Sequence, residues 1–179
     1  MSYAQTLEAV PLQVPSPRHK LPFLRDDRLR NIAERDLSSL LRFKNEEEVK
    51  VVLIMAGSVI EAVLLDCFQR FVNTQLEAVA KQVQARRVTD GRFSRFSPER
   101  RESWSFFHSI AVAGPDGLHI LRGRTERVAD TLRNFRNLVH PARELLESDD
   151  SPLRTTDADA AVALVGMVLD DVQEWVMTR

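Results

Sequence analysis

A single cysteine in 179 residues leaves no partner for an internal disulfide, and a reducing cytoplasm is the compartment this predicts. Cys67 sits in an apolar run, which reads as a small buried side chain rather than a reactive thiol. Glycine is scarce, with six in the chain, and Val, Ile and Phe fall mostly in helix-spaced runs, so no sheet is expected. The net charge of -1 lacks the bias that would draw the whole chain to nucleic acid or to a membrane surface. No long apolar run is uninterrupted: Val49 to Leu65 is broken by Lys50, Gly57, Ser58 and Glu61, which predicts a buried core helix and no membrane span. The opening "MSYAQTLEAV" has neither a basic nor an apolar leader region, so no secretory signal is expected. Zinc spacing, a Walker loop, a dinucleotide fingerprint and a G-x-S-x-G elbow are all missing. His108 and His119 have no cysteine or acid at ligand spacing, and His19 lies near the N-terminus. Neither a metal nor any other cofactor is expected.

What is present is an ordinary globular composition, 44% apolar and 28% charged, at a length suited to one core. Residues 1–24 hold four of the eight prolines without a sustained period, which predicts an extended N-terminal arm. Residues 25–179 read as an all-α bundle of four main helices with one shorter inserted helix. Asp26 or Asp27 caps a first helix over 27–43, with Leu29, Ile32, Ala33, Leu37, Leu40 and Leu41 as its apolar face. Asn45 is the expected cap of the second helix, with Glu48 at the N3 place of a capping box. Residues 49–72 are apolar nearly all round and should be the most buried element, with helical character running on to Arg87. "VTDGRFSRFSP" reads as a loop, and Ser97-Pro98-Glu99 as the start of the inserted helix. A fourth main helix begins between Leu118 and Arg124 and ends at His140. Thr156 or Asp157 caps a last helix over 157–177, with Val162, Val165, Leu169, Val172 and Val176 on one face.

The stretch "LRNFRNLVHPARE" concentrates the chemistry. Placed on a helix at about 100° per residue, Val128, Leu132, Phe135 and Val139 form an apolar stripe. Arg133, Arg136, Asn137 and His140 fall together on the adjoining edge, and Asn134 points elsewhere. Pro141 cannot continue the helix, so His140 ends it. The helix dipole there favours the charged imidazole and the arginines oppose it, around a starting value of about 6.5. One reading has His140 capping the helix while the arginines pair with acids such as Glu126, Asp130 or Glu144. The other is a metal-free phosphodiester site: an imidazole to move protons, arginine forks to neutralise the phosphate, an asparagine to position it.

On these residues the chain resembles the HEPN superfamily of small helical bundles, which includes bacterial toxin and phage-defence ribonucleases. That family carries an arginine, a polar residue and, a few positions on, a histidine at the end of a core helix. Here six residues, Asn134 to Val139, separate Arg133 from His140, within the family's range, whereas three separate Arg136 from it. The string "LRNFRNLVHP" is similar to a bacterial variant in which a second Arg-Asn pair precedes "xxHP", and "MAGSVIEAVLLD" is similar to the early buried helix of such bundles. The family register favours Arg133; the wheel places Arg136 nearest the core stripe.

The resemblance and the wheel together mark Arg133, Arg136, Asn137 and His140 as catalytic candidates, with Asn134 in support. The resemblance also implies RNA as substrate, a homodimer whose two motifs share one cleft, and room for an antitoxin or defence-system partner. Family members include inactive scaffolds, so a non-catalytic RNA-binding or protein-interaction module is the alternative. Glu61, a carboxylate inside the most apolar helix, is read as supporting the site by pairing with a fourth-helix arginine. Arg30, Arg35 or a solvent-facing notch are its other options. Residues 86–143 are rich in arginine, including Arg86, Arg87, Arg92, Arg95, Arg100 and Arg101, and Arg122, Arg124 and Arg127 are candidate RNA contacts. Phe93, Phe96, Trp104, Phe106 and Phe107 are interleaved with them and could stack on bases, or serve as core.

Overall fold

Asp26 opens the bundle as its sequence suggests. Its carboxylate accepts from the backbone N–H groups of Arg28 and Leu29, at 2.8 and 3.1 Å, and so caps α1, Asp27–Asn45. The structure, a computed structural model, describes residues 20–88, 95–129 and 153–179. The further elements are α2 (Val49–Phe68), α3 (Asn73–Arg87), a 3₁₀ turn at Arg101–Ser103, α4 (Phe106–Ala113), α5 (helical at 123–129) and α6 (Thr155–Met177). Among the described residues the fold is entirely helical, without a strand.

α2 is the centre of the core. It packs on α1, α4 and α6 over most of its circumference, burying Val52, Val59, Ile60, Leu64 and Phe68, while Ile54 and Leu65 on the remaining face are exposed, against the expectation that every face is buried. By length and composition it could cross a membrane, yet 67% of its most apolar window is buried inside the fold, as expected of a core helix. Cys67 is fully buried there, and desolvation pushes its thiol up to about 12.

The α1–α2 junction corrects the expected cap. Asn45 is the last residue of α1 rather than the cap of α2, and Glu48 is α2's N-cap residue, without a side-chain cap bond. The chain reverses through a Schellman motif: Glu48 N–H donates to the Phe43 carbonyl at 3.0 Å and Glu47 N–H to Lys44 at 3.2 Å. Glu47 holds the left-handed conformation, φ 59°, where glycine is usual. The sequence offered asparagine and three glutamates, so a helix start was the natural reading, but closing α1's orphan carbonyls took precedence.

α2 also ends sooner than 72. Past Phe68 the bonds tighten to the i→i+3 type (Arg70 to Cys67, Phe71 to Phe68), and Val72 is extended with ψ 139°, so α3 is a separate helix. Arg70 fixes this corner. Its guanidinium donates to Asp66 at 2.8 Å and to the Phe23 carbonyl at 2.6 Å, while Asp66 also accepts the N–H groups of Arg25 and Asp26. Leu21 and Leu24 are buried in the same core, so residues 21–24 belong to the bundle rather than to an arm. Residues 1–19 lie outside the described residues.

The inserted helix starts later than Ser97-Pro98-Glu99, which form a turn. Ser105 is the true cap, and His108 takes the place of glutamate in a capping box, its Nδ1 accepting the Ser105 N–H at 3.2 Å. The expected caps of α6 are likewise displaced: Arg154 occupies the N-cap, and the Asp157 carboxylate accepts its N–H at 2.8 Å from the first turn. Its buried face runs Ala158, Ala161, Val165, Val168, Val172 and Trp175, with Val162, Leu169 and Val176 half-buried on the flank. On α1, Ile32 is 37% exposed while Asp36 is buried, accepting from Ser58 at 2.5 Å and Arg35 at 2.7 Å.

Candidate functional site

Residues 123–129 form the helix that leads in sequence to the Arg133–His140 stretch, and its entry is fixed from two sides. On one, the buried Asp171 of α6 accepts the Arg122 backbone N–H at 2.9 Å and the Thr125 hydroxyl at 2.6 Å. A carboxylate there satisfies donors that the first turn leaves open and sits at the positive end of the helix dipole. On the other, the buried Glu126 receives the Arg87 guanidinium from α3, which also donates to Asp116 at 2.8 Å. Burial works against the charge on Arg87, and the Glu126 and Asp116 carboxylates outweigh it, so the guanidinium is held above its ordinary value.

The turn before α5 is equally constrained. The Leu118 N–H donates to the Val112 carbonyl at 2.8 Å, and those of Ile120 and Leu121 to Ala113 at 2.8 and 2.9 Å. A Cβ on Gly117 would lie 2.1 Å from the Val112 carbonyl oxygen, so only glycine fits there.

Arg133, Asn134, Arg136, Asn137 and His140 lie outside the described residues, as do Asp130, Glu144, Arg92 and Phe93. Of the other candidates, Glu61 is half-buried on α2. Arg30 donates to the Leu24 carbonyl and to Asp27, and Arg35 to Asp36. Arg122, Arg124 and Arg127 are exposed around the start of α5. Arg122 is bonded to Glu174 and lies 3.4 Å from Asp171, so it is an inter-helix tie as well as a surface cation.

Of the interleaved aromatics, Phe96, Trp104, Phe106 and Phe107 pack in or against the core, the second of the two uses the sequence allows. Phe106 is buried, Trp104 sits edge-on to Phe68 and Phe96 at 5.7 and 5.4 Å, and Phe96 stacks on His108 at 4.4 Å. The Trp104 indole donates to the Ser97 carbonyl at 2.9 Å. Among the described residues no group of three His, Cys, Asp or Glu could hold a metal ion.

The residues whose roles sequence reasoning missed are Thr125, Asp171 and His108; Glu126 was named as a partner for the arginines of its own helix, and the structure pairs it with Arg87 of α3. Asp171 did leave a signal, since it is an acid on the apolar face of its helix. Against known proteins, no family model matches the chain, and neither does any curated protein or solved structure.

Proposed function

We propose that the chain is a metal-independent endoribonuclease of the HEPN type, acting in toxin–antitoxin or phage defence. The observation that carries this reading is the Arg133-Asn134…His140 spacing ahead of Pro141. An all-helical architecture supports it, and so does a helix at 123–129 whose start is pinned by Asp171 and Arg87 just upstream of that motif. In the proposed reaction the 2′-hydroxyl loses its proton to His140 and attacks the adjacent phosphorus. The P–O5′ bond breaks, and the departing 5′-oxygen takes a proton from the second copy's imidazole. A 2′,3′-cyclic phosphate and a 5′-hydroxyl result. Arg133 and Arg136 neutralise the phosphate in the transition state, and Asn137 positions it. Two copies facing each other supply the acid and the base, which makes the active form a homodimer.

The test is purified protein on mixed RNA in chelator, with DNA of the same sequence alongside. His140→Ala should slow cleavage by about 10²–10⁴-fold and Arg133→Ala by about 10²–10³-fold, while DNA stays intact. A His140→Ala protein that cuts as fast as wild type refutes the assignment.

The second reading is a non-catalytic helical interaction module. It is favoured by the pairing of the basic stretch: Arg87 and Arg122 are bonded to carboxylates, and the neighbouring aromatics lie in the core. On that reading the wild-type protein leaves RNA intact.

A further inference from the structure

A cleft of about 520 Å³ lies at the opposite end of α6 from its cap, and neither reading above uses it. The corner after α2, the start of α3, the residue before Asp26 and the end of α6 enclose it. Three arginines line it, Arg25, Arg70 and Arg179, with Gln75, the Phe71 and Trp175 rings and three aliphatic side chains. No Asp or Glu is among the lining residues.

The three cations are not equivalent. Arg70 is spent on the fold: Asp66 takes its fork at 2.8 and 3.3 Å, and the Phe23 carbonyl takes a third bond. Arg25 and Arg179 are exposed, and no carboxylate pairs with either among the described residues. Arg179 lies over Trp175 at 4.7 Å and over Phe71 at 5.6 Å, which holds its charge at the mouth of the cleft. The wall behind them is apolar. Phe71 and Trp175 are 5.8 Å apart, and Trp175, 8% exposed, has a buried indole N–H with no acceptor among the described residues.

We infer that this cleft binds a phosphate monoester carried on an apolar or aromatic body. Two guanidinium groups that no carboxylate pairs with among the described residues call for a dianion, and a phosphate monoester carries about −1.5 to −2 charges near neutrality. The aliphatic and aromatic wall calls for an organic remainder, because a bare inorganic ion would leave that surface wet. The volume lies in the range of small-molecule sites, about 300–1,000 Å³. This inference does not rest on the ribonuclease reading.

Calorimetric titration of the full chain tests it with phenyl phosphate, phenylacetate and inorganic phosphate. Phenyl phosphate should bind at millimolar concentration or tighter, and each of the other two about tenfold more weakly. Arg25→Ala and Arg179→Ala should each weaken phenyl phosphate by about ten- to hundredfold, the worth of one charge-assisted bond. Both side chains are exposed, and the Arg25 backbone bond to Asp66 survives the substitution. Absence of phenyl phosphate binding, or binding indifferent to both substitutions, overturns the proposal. Equal affinity for phenylacetate overturns the dianion argument, and equal affinity for inorganic phosphate overturns the apolar one. A single-stranded oligoribonucleotide that binds more tightly than phenyl phosphate, and loses affinity in both variants, would make the cleft part of an RNA surface instead.

Discussion

Replacing Thr125 by valine removes one hydroxyl and little else, because the two side chains have nearly the same shape. Thr125 is fully buried, and its hydroxyl donates at 2.6 Å to Asp171, whose other donors come from Arg122. The bond has an ionised acceptor in a site shielded from water, so its loss should cost about 1.5–3 kcal/mol. No cavity term adds to that. With a urea slope near 2 kcal/mol/M, the unfolding midpoint should fall by about 1 M, and the melting temperature by about 4–8 °C. Asp171→Ala should cost more, about 3–5 kcal/mol, since it leaves the Thr125 hydroxyl and the Arg122 N–H without an acceptor. Urea titration of wild type, both single variants and the double variant closes a cycle, in which the coupling should exceed about 0.5 kcal/mol. A Thr125→Val loss below about 0.5 kcal/mol, the range of surface substitutions, would refute the claim that Asp171 pins the start of α5.

Glu47→Gly should stabilise the chain by about 0.5–1 kcal/mol, because glycine takes the left-handed conformation at the α1–α2 turn without a steric penalty; a lower urea midpoint would refute that. The Cys67 thiol, pushed up to about 12 by burial, should resist a thiol reagent at mild alkaline pH until denaturant is added, and rapid labelling of the native chain would show the core misassigned. Burial opposes the charge on Asp36, but the Arg35 guanidinium and Ser58 hydroxyl outweigh it and hold the carboxyl below its usual range. A folded value below the unfolded one gives stability that is present above about pH 4 and is lost as the pH falls through the folded value. Asp36→Asn should therefore flatten the acid limb of a stability–pH curve, and an unchanged limb would remove Asp36 from that account.

Helix type and core position were legible because they rest on many residues at once. α2 could be recognised from the apolar content of all its faces, and α1 from leucines at helical spacing with an aspartate before them. Helix ends were less legible because each depends on one or two bonds with competing solutions. Asn45 is a good cap in isolation, yet the carbonyls of α1 needed closing at the same place, and Glu47 closes them by adopting the left-handed conformation. At Ser105 the reciprocal partner is a histidine rather than glutamate or glutamine, so the capping box carried no familiar signature. In α6 the apolar pattern is broad enough to allow a neighbouring face, and the buried face includes Asp171, which a hydrophobic wheel discards.

That last omission bears on the site. Clustered polar residues are the visible mark of chemistry in a sequence, and the arginines of the 86–143 stretch carry it. A buried acid such as Asp171 carries no such mark, yet Asp171 and Glu126 are the groups that decide where α5 begins and how two of those arginines are used. An arginine count alone therefore overstates the basic surface: Arg87 and Arg122 are tied to carboxylates from other parts of the chain, whereas Arg25 and Arg179, far apart in sequence, meet in one cleft where no Asp or Glu pairs with either among the described residues. Charge that matters for binding is what remains after folding has paired the rest, and that remainder is set by long-range contacts that local sequence spacing does not encode.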